Sequence, residues 1–449
     1  MSVPAIASSA PPTDLLEKSE VSPPQTPLLD LTDELLWEIL SRCSGKDVIS
    51  ASLTCKRLFP IGNDNLLWKH LFRHTFPLRF NLSPQPAHSL TWKDQYRRAA
   101  IWNTNIIKGI YREIPLGGHA RRITSLADIG DHLFTSSVEG KLIIWQKDES
   151  GHFQQMLTLD DCEGGNFNLS SSGNYLAYAS DITLKVLRKE VFGNFALLQT
   201  SPGDGSKITQ LKIEDDYLFT RSANGTFTFW KKDPTGQFTQ TGTIPNCQQF
   251  TFQEDHLFVK LNDGATDIWK RETDGFVQAQ RLLDEMPDNL PGCGLQYGSG
   301  ALLMAEYSGK LKLWTKTEEF KETQTLNVSS SFMDPVTAVF FNGEHIITGT
   351  LKGAVTIIRK GEDGTFNKIQ LMTDLKERIN GISLKNGFLL IGSTDGSTGL
   401  WKKEASGNFT LLQLLKDEDR GVTGVMIGPD QFFSGYSDGS IKIWDFCKN

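Results

Sequence analysis

Cysteine is sparse and unpaired in this 449-residue chain. The six present, Cys43, Cys55, Cys162, Cys247, Cys293 and Cys447, form no CxxC pair. That argues against a thiolate zinc site and a redox dithiol, and reads as free thiols in a reducing compartment. The eight histidines are equally dispersed, with no HExxH or other ligand spacing, so no metal and no cofactor is expected. Basic residues do not outnumber acidic ones: 46 Lys and Arg stand against 53 Asp and Glu, a net charge of −7 that argues against binding nucleic acid. No apolar run is long enough to span a bilayer, so no membrane is expected either. Residues 1–26 have neither the basic start nor the apolar core of a secretory leader; rich in Pro and Ser, they read as disordered. What is left is a soluble chain with room for two or three folding units, expected in the cytoplasm and/or nucleus.

Repetition is what the chain has in abundance. Aligned on Trp444, eight units place Trp145, Leu187, Trp230, Trp269, Trp314, Ile358, Trp401 and Trp444 in register, 39–45 residues apart. Each unit shows a short alternating run (Ile123–Leu126, Val422–Val425), an apolar strand (HLFTSS, YLFTRS, FLLIGS) and a third strand ending at the aligned position (KLIIW, SIKIW). Period-two alternation of β-branched and aromatic residues is the pattern of half-buried strands. Five residues before the aligned position stand Gly140, Ile182, Gly225, Gly264, Gly309, Gly353, Gly396 and Gly439, often after Asp or Asn, as two-residue hairpins require. A later turn (KKDPTGQF, KKEASGNF) leads to a phenylalanine that opens a fourth, outer strand. A period of this length predicts a mainly β fold, an eight-bladed β-propeller of four-stranded antiparallel sheets. The eighth unit has only three strands of its own. Residues 105–114 (NIIKGIYREI) are expected to supply the missing one and close the ring. Seven blades, with unit two as an irregular insertion, is the alternative.

These units resemble WD40 repeats over residues 118–449. The Trp-Asp dipeptide occurs only in the last unit, and only the entry to the first unit has Gly-His (Gly118-His119). The family's buried Trp–Ser–Asp–His hydrogen-bond set is incomplete in most units, and His119 is expected to orient a turn.

A different module precedes the repeats. Residues 28–72 show Thr32 at a helix start, Leu35, Leu36, Ile39 and Leu40 at helical spacing, and a second helix near Lys46 with Val48, Ile49, Ala51 and Leu53 inward. A third helix from Asn65 carries Leu67, Trp68 and Leu71 inward. Leu31-Thr32, Glu34-Leu35-Leu36, Ile39-Leu40, Thr54-Cys55-Lys56-Arg57 and Leu67-Trp68 together are similar to an F-box, with Thr32 in place of the usual proline. The F-box is assigned to 27–75, a linker with a helix (Leu90–Asn103) to 76–104 and the propeller to 105–449. The resemblance implies a Skp-family adaptor as partner, faced by Leu31, Thr32, Leu35, Leu36, Ile39, Leu40, Ile49 and Leu53. Through it the chain would join a cullin–RING ligase as a non-catalytic receptor that presents a protein client for ubiquitination. A scaffold that holds an adaptor without marking a client, including a bacterial effector acting in host cytosol, is the alternative.

WD40 propellers commonly bind peptides on the face of the glycine turns. There the chain offers Arg121, Arg122, Lys207, Arg221, Tyr307, Arg378, Arg420 and Tyr436 as client-binding candidates. Charge-assisted hydrogen bonds to an acidic or phosphorylated segment compete with balance by Asp128, Asp204, Asp374, Glu377, Asp417 and Asp419. The arginines of phosphodegron-binding relatives are replaced at matching positions, for example by Thr124, Thr337 and Thr423. Two residues past the aligned positions lie Lys147, Lys189, Lys232, Arg271, Lys316, Lys360 and Lys403, a ring of cations expected to protect strand edges.

Overall fold

The computed structural model describes residues 28–76, 91–148, 151–160, 168–191, 193–273, 275–283, 294–306, 308–329, 333–417, 420–428 and 431–447. The expected disorder of 1–26, and Cys162, Cys293, Tyr307 and Asp419, lie outside these. The chain divides into two compact units, residues 1–98 and 99–449.

The first unit is helical. A single 3-10 turn (Leu28–Asp30) leads to α1 (Asp33–Ser41), α2 (Gly45–Ser52), α3 (Leu58–Ile61) and α4 (Asn65–Thr75). Two starts are capped by side chains: Ser44 accepts from the Asp47 N–H and Asp64 from the Leu66 N–H at 2.9 Å. Thr32 occupies the cap position of α1 with extended backbone but makes no side-chain cap bond. The core is built on Leu36, Leu40, Val48, Leu58, Leu67, Leu71 and Trp68. The Trp68 indole donates to the Gly62 carbonyl at 2.9 Å and meets the edge of Tyr96 at 5.2 Å. Of the residues expected inward on the second helix, only Val48 is sealed; Leu53 follows the helix end and points to solvent.

The helix α5 (Trp92–Lys108) is longer than expected, and its residues are shared between the units. Trp92 packs on Phe72 in the first. In the second, Trp102 sits edge-on to Phe388, Phe432 and Phe446 at 5.0–6.4 Å, and Asn105 donates to the Phe446 carbonyl at 2.9 Å.

Among the described residues, thirty-two strands then make eight four-stranded sheets. Blade three is representative: Ile208–Glu214, Tyr217–Ser222, Phe227–Lys232 and Phe238–Ile244, paired in sequence order. The second strands are buried along nearly their whole length because sheets cover both faces. Unit two is a regular blade. Where the others have glycine with φ between 81° and 92°, it turns through Asp181 at φ 50°. At Gly439 the glycine is also demanded by space, since a Cβ would lie 2.6 Å from the Arg121 carbonyl oxygen.

The ring closes with a strand at Arg112–Leu116, which pairs antiparallel with Ile441–Asp445. The expected span, 105–114, is corrected: through Lys108 the chain is still α5, because Trp102 and Ile106 bury better as one helical face, and Gly109 (φ 69°) ends it. Charge reinforces the closure. Lys442 Nζ lies 2.6 Å from Glu113 and 2.8 Å from Asp417, and Arg112 is 3.1 Å from Asp445.

Neighbouring blades are also joined by a device absent from the expectations. Four residues after the outer-strand phenylalanine, Gln199, Gln280, Gln324 and Gln370 each grip the next blade. Each amide donates to the carbonyl of the next outer-strand phenylalanine (Phe238, Phe320, Phe366, Phe409) and accepts from its N–H, all at 2.7–2.9 Å. The signal was a repeated Phe-x-x-x-Gln. Breaking both bonds of one clamp leaves backbone groups unpaired, so Gln370→Ala is expected to lower stability by about 1–3 kcal/mol in thermal or urea melts. Gln413→Ala, at a repeat position whose Oε1 has no partner among the described residues, should lower it by less than half of that.

Candidate docking surfaces

The helical unit completes its own core and still leaves apolar side chains in water. Consecutive residues on α1 lie ~100° apart, so its leucine pairs split. Leu36 and Leu40 turn inward, while Leu35 and Ile39 face out at 51% and 40% exposure. Leu36 and Leu40, expected to face an adaptor, are thereby corrected to core residues. Leu53 is 75% exposed, Thr32 is exposed, and Leu31 and Ile49 are half-buried. Leu28, Leu29, Phe59 and Leu66 join the exposed set. Phe59 and Leu66 each adjoin a buried leucine (Leu58, Leu67), and that helical phase was the overlooked signal.

Arg57 holds this surface together. Its guanidinium donates to the Leu29 and Leu31 carbonyls and lies 3.1 Å from the Asp33 carboxylate. Arg57 is also the cap residue of α3, so the 3-10 turn is drawn to the start of that helix. The Cys-Lys-Arg element therefore has an intramolecular task. Trp37 adds a second tie, donating to Asp64 at 2.9 Å.

On the glycine-turn face of the propeller, four candidate cations are exposed: Arg378 leading into blade seven, Arg420 into blade eight, and Arg121 and Arg122 into blade one. They fall on three consecutive blades. Arg420 is 3.1 Å from Asp438. Lys207 is half-buried. Two candidates are corrected. Tyr436 is fully buried because it still belongs to the second strand of blade eight, where Lys442 covers its ring. Arg221 crosses a seam, donating to the Cys247 carbonyl of blade four and to Thr209 Oγ1, both at 2.8 Å. Thr337 and Thr423 are likewise occupied with carbonyls: Thr337 Oγ1 donates to Ile379 at 2.8 Å and Thr423 Oγ1 to Gly435 at 3.0 Å.

The loops carrying this face are pinned from below. In blade one His119 bridges Glu139 and Thr135 at 2.9 Å each, and the Trp145 indole donates to the same threonine. Glu139 also accepts from the Ala120 N–H, so the histidine orients both turn and loop. Burial pushes the His119 pKa down, although Glu139 works the other way. Asp395 plays the acid's part in blade seven. Burial alone would raise its carboxyl, but the N–H groups of Ser397 and Lys376 hold it below the usual range.

The opposite rim carries the lysine ring, and acids answer several of its members. Lys232 lies 2.6 Å from Asp216, Arg271 2.7 Å from Asp255, and Lys403 2.9 Å from Glu344. A polar hollow of about 850 Å³ opens there across blades two to four, between Tyr175, Asp215, Lys232 and Arg271.

Comparison with known proteins agrees with these two parts. The family described as F-box-like matches residues 28–74, and the WD domain, G-beta repeat, matches residues 409–445. That pairing of modules is the one an F-box/WD40 protein carries. A search of curated proteins finds no matching relative. Solved structures similar to the propeller include the computationally designed Ika8 protein, at 20% identity over 74% of this chain and 98% of that one, with a TM-score of 0.59. Sqt1 from Saccharomyces cerevisiae matches at 12% identity over 74% and 97%, with a TM-score of 0.62. BamB from Moraxella catarrhalis matches at 13% over 74% and 100%, with a TM-score of 0.53. At such identities the likeness is one of fold alone. F-box domains generally bind Skp-type adaptors, WD40 propellers bind protein partners, and both are typically non-catalytic. Among the described residues no helix is long and apolar enough to cross a membrane and no cluster of ligands suits a metal ion.

The split of the leucine pairs has a direct test. Leu36→Ala is expected to cost about 2–5 kcal/mol of stability to the helical unit, followed by urea titration of the full chain, while Leu35→Ala should change it by less than about 0.5 kcal/mol.

Proposed function

We propose that this protein is the substrate-recognition subunit of an SCF-type cullin–RING ubiquitin ligase, acting in the cytoplasm and/or nucleus. The carrying observation is the exposure of Leu35, Ile39 and Leu53 on a small helical unit whose own core is already complete. Exposed apolar groups gain by burial against a partner, at ~25 cal/mol per Å² removed from water. A Skp-family adaptor is the partner that fits an F-box surface. The propeller takes the client on its glycine-turn face, where Arg121, Arg122, Arg378 and Arg420 favour a segment rich in carboxylate or phosphate. The receptor performs no bond chemistry; it holds a client near a ubiquitin donor and so raises effective concentration.

Affinity purification separates the two tasks. With Leu35, Ile39 and Leu53 all changed to Asp, adaptor and cullin are expected to disappear from the eluate while propeller-bound clients remain. Recovery of the adaptor at wild-type level would overturn the ligase reading. Conversely, changing Arg121, Arg122, Arg378 and Arg420 to Glu should remove acidic clients and leave the adaptor in place. Unchanged clients would put their binding elsewhere on the ring.

A further inference from the structure

The first residue of the second strand occupies the same place in every blade, facing the next blade. In chain order it is His132, Tyr175, Tyr217, His256, Ala301, His345, Phe388 and Gln431. Five of these rings meet the phenylalanine that opens the next outer strand: His132 with Phe195, Tyr175 with Phe238, Tyr217 with Phe276, His256 with Phe320 and His345 with Phe409, at 4.9–5.9 Å. The three imidazoles are 1–9% exposed. Both ring nitrogens of His132 and of His345, and Nδ1 of His256, have no hydrogen-bond partner among the described residues.

Each histidine also faces a cation of the lysine ring from the next blade. Lys316 Nζ is 2.8 Å from His256 Nε2, a geometry that requires a neutral imidazole as acceptor. Lys189 and Lys403 bear on His132 and His345 through charge, without such a contact. The remaining charges are few. His132 has Asp131 beside it and shares a cavity of about 60 Å³ with Asp128 and Lys147. His256 has Asp255 and Lys270. His345 has Glu344 at 3.6 Å and Arg359, but Glu344 is already engaged by Lys403 at 2.9 Å.

We propose that the seams between blades one and two, four and five, and six and seven form an acid-sensitive set, at which protonation sets a buried imidazolium against the next blade's lysine and loosens the ring. The neutral form is favoured first by burial and then by the facing lysine, both lowering each histidine's affinity for a proton, to about pKa 4 for His345. Because these values lie below that of an unfolded histidine, the open chain takes up more protons. The stabilisation is complete above about pH 6.5 and is lost as pH falls toward the folded values. Where tyrosine or phenylalanine holds the same position, at blades two, three and seven, the seam has no such response.

Those blades supply the test, because they show which ring fits without a titrating nitrogen. The full chain carrying His132→Tyr, His256→Tyr and His345→Phe is melted at pH 8, 7, 6 and 5 beside the wild type. The wild-type melting temperature is expected to fall steeply from pH 7 to 5, and the variant's fall to be less than half as large. Hydrogen exchange of the wild type at pH 5 should rise first in strands flanking the three seams. A variant that matches the wild type's loss with pH overturns the proposal. If the triple variant does not fold at pH 8, single His345→Phe carries the test by the same comparison, and an unchanged pH dependence again overturns it.

Discussion

No blade of this propeller can bury both faces alone, so closure of the ring is the constraint from which its stability follows. Every sheet covers one face of its neighbour, and the second strands are sealed only because sheets lie on either side. The last sheet is completed by Arg112–Leu116, and the Glu113–Lys442–Asp417 contact lies on that junction. Glutamine clamps then tie outer strands across four other seams. Directional hydrogen bonds at the perimeter fix spacing that apolar packing alone leaves loose.

Much of this was legible because turns and strand alternation are local. Glycines at a constant distance from the aligned tryptophan marked the hairpins, and even the unit lacking that glycine kept Asp181, which tolerates positive φ. Counting three strands in the last unit implied a borrowed fourth. Its bounds were misread because NIIKGIY is rich in β-branched and aromatic residues; only tertiary burial of Trp102 and Ile106 makes its first half helical. Tyr436 failed for a related reason: nearness to a turn does not imply exposure when the turn begins one residue later.

The helical unit shows how one surface serves two demands. Helical phase sends alternate members of its leucine pairs inward and outward, a distinction that a motif of paired leucines conceals. Arg57 belongs to the same motif, yet its bonds run to Leu29, Leu31 and Asp33 within the unit. Its charge is spent on fixing the backbone next to exposed apolar groups, a form of preorganisation that reduces the ordering needed on binding.

The borrowed strand sets an order of events during synthesis. Arg112 pairs with Asp445, 333 positions later, so a ribosome must release almost the whole toroid before the first strand finds its mate. Until then each emerging sheet has one covered face and one wet face, and the free margin of the newest blade is open to strand exchange with another nascent copy. Trimming a recombinant fragment to begin at Gly118 would make that transient condition permanent. Ile441–Asp445 would keep a bare edge, and the natural remedy is a strand from a second molecule.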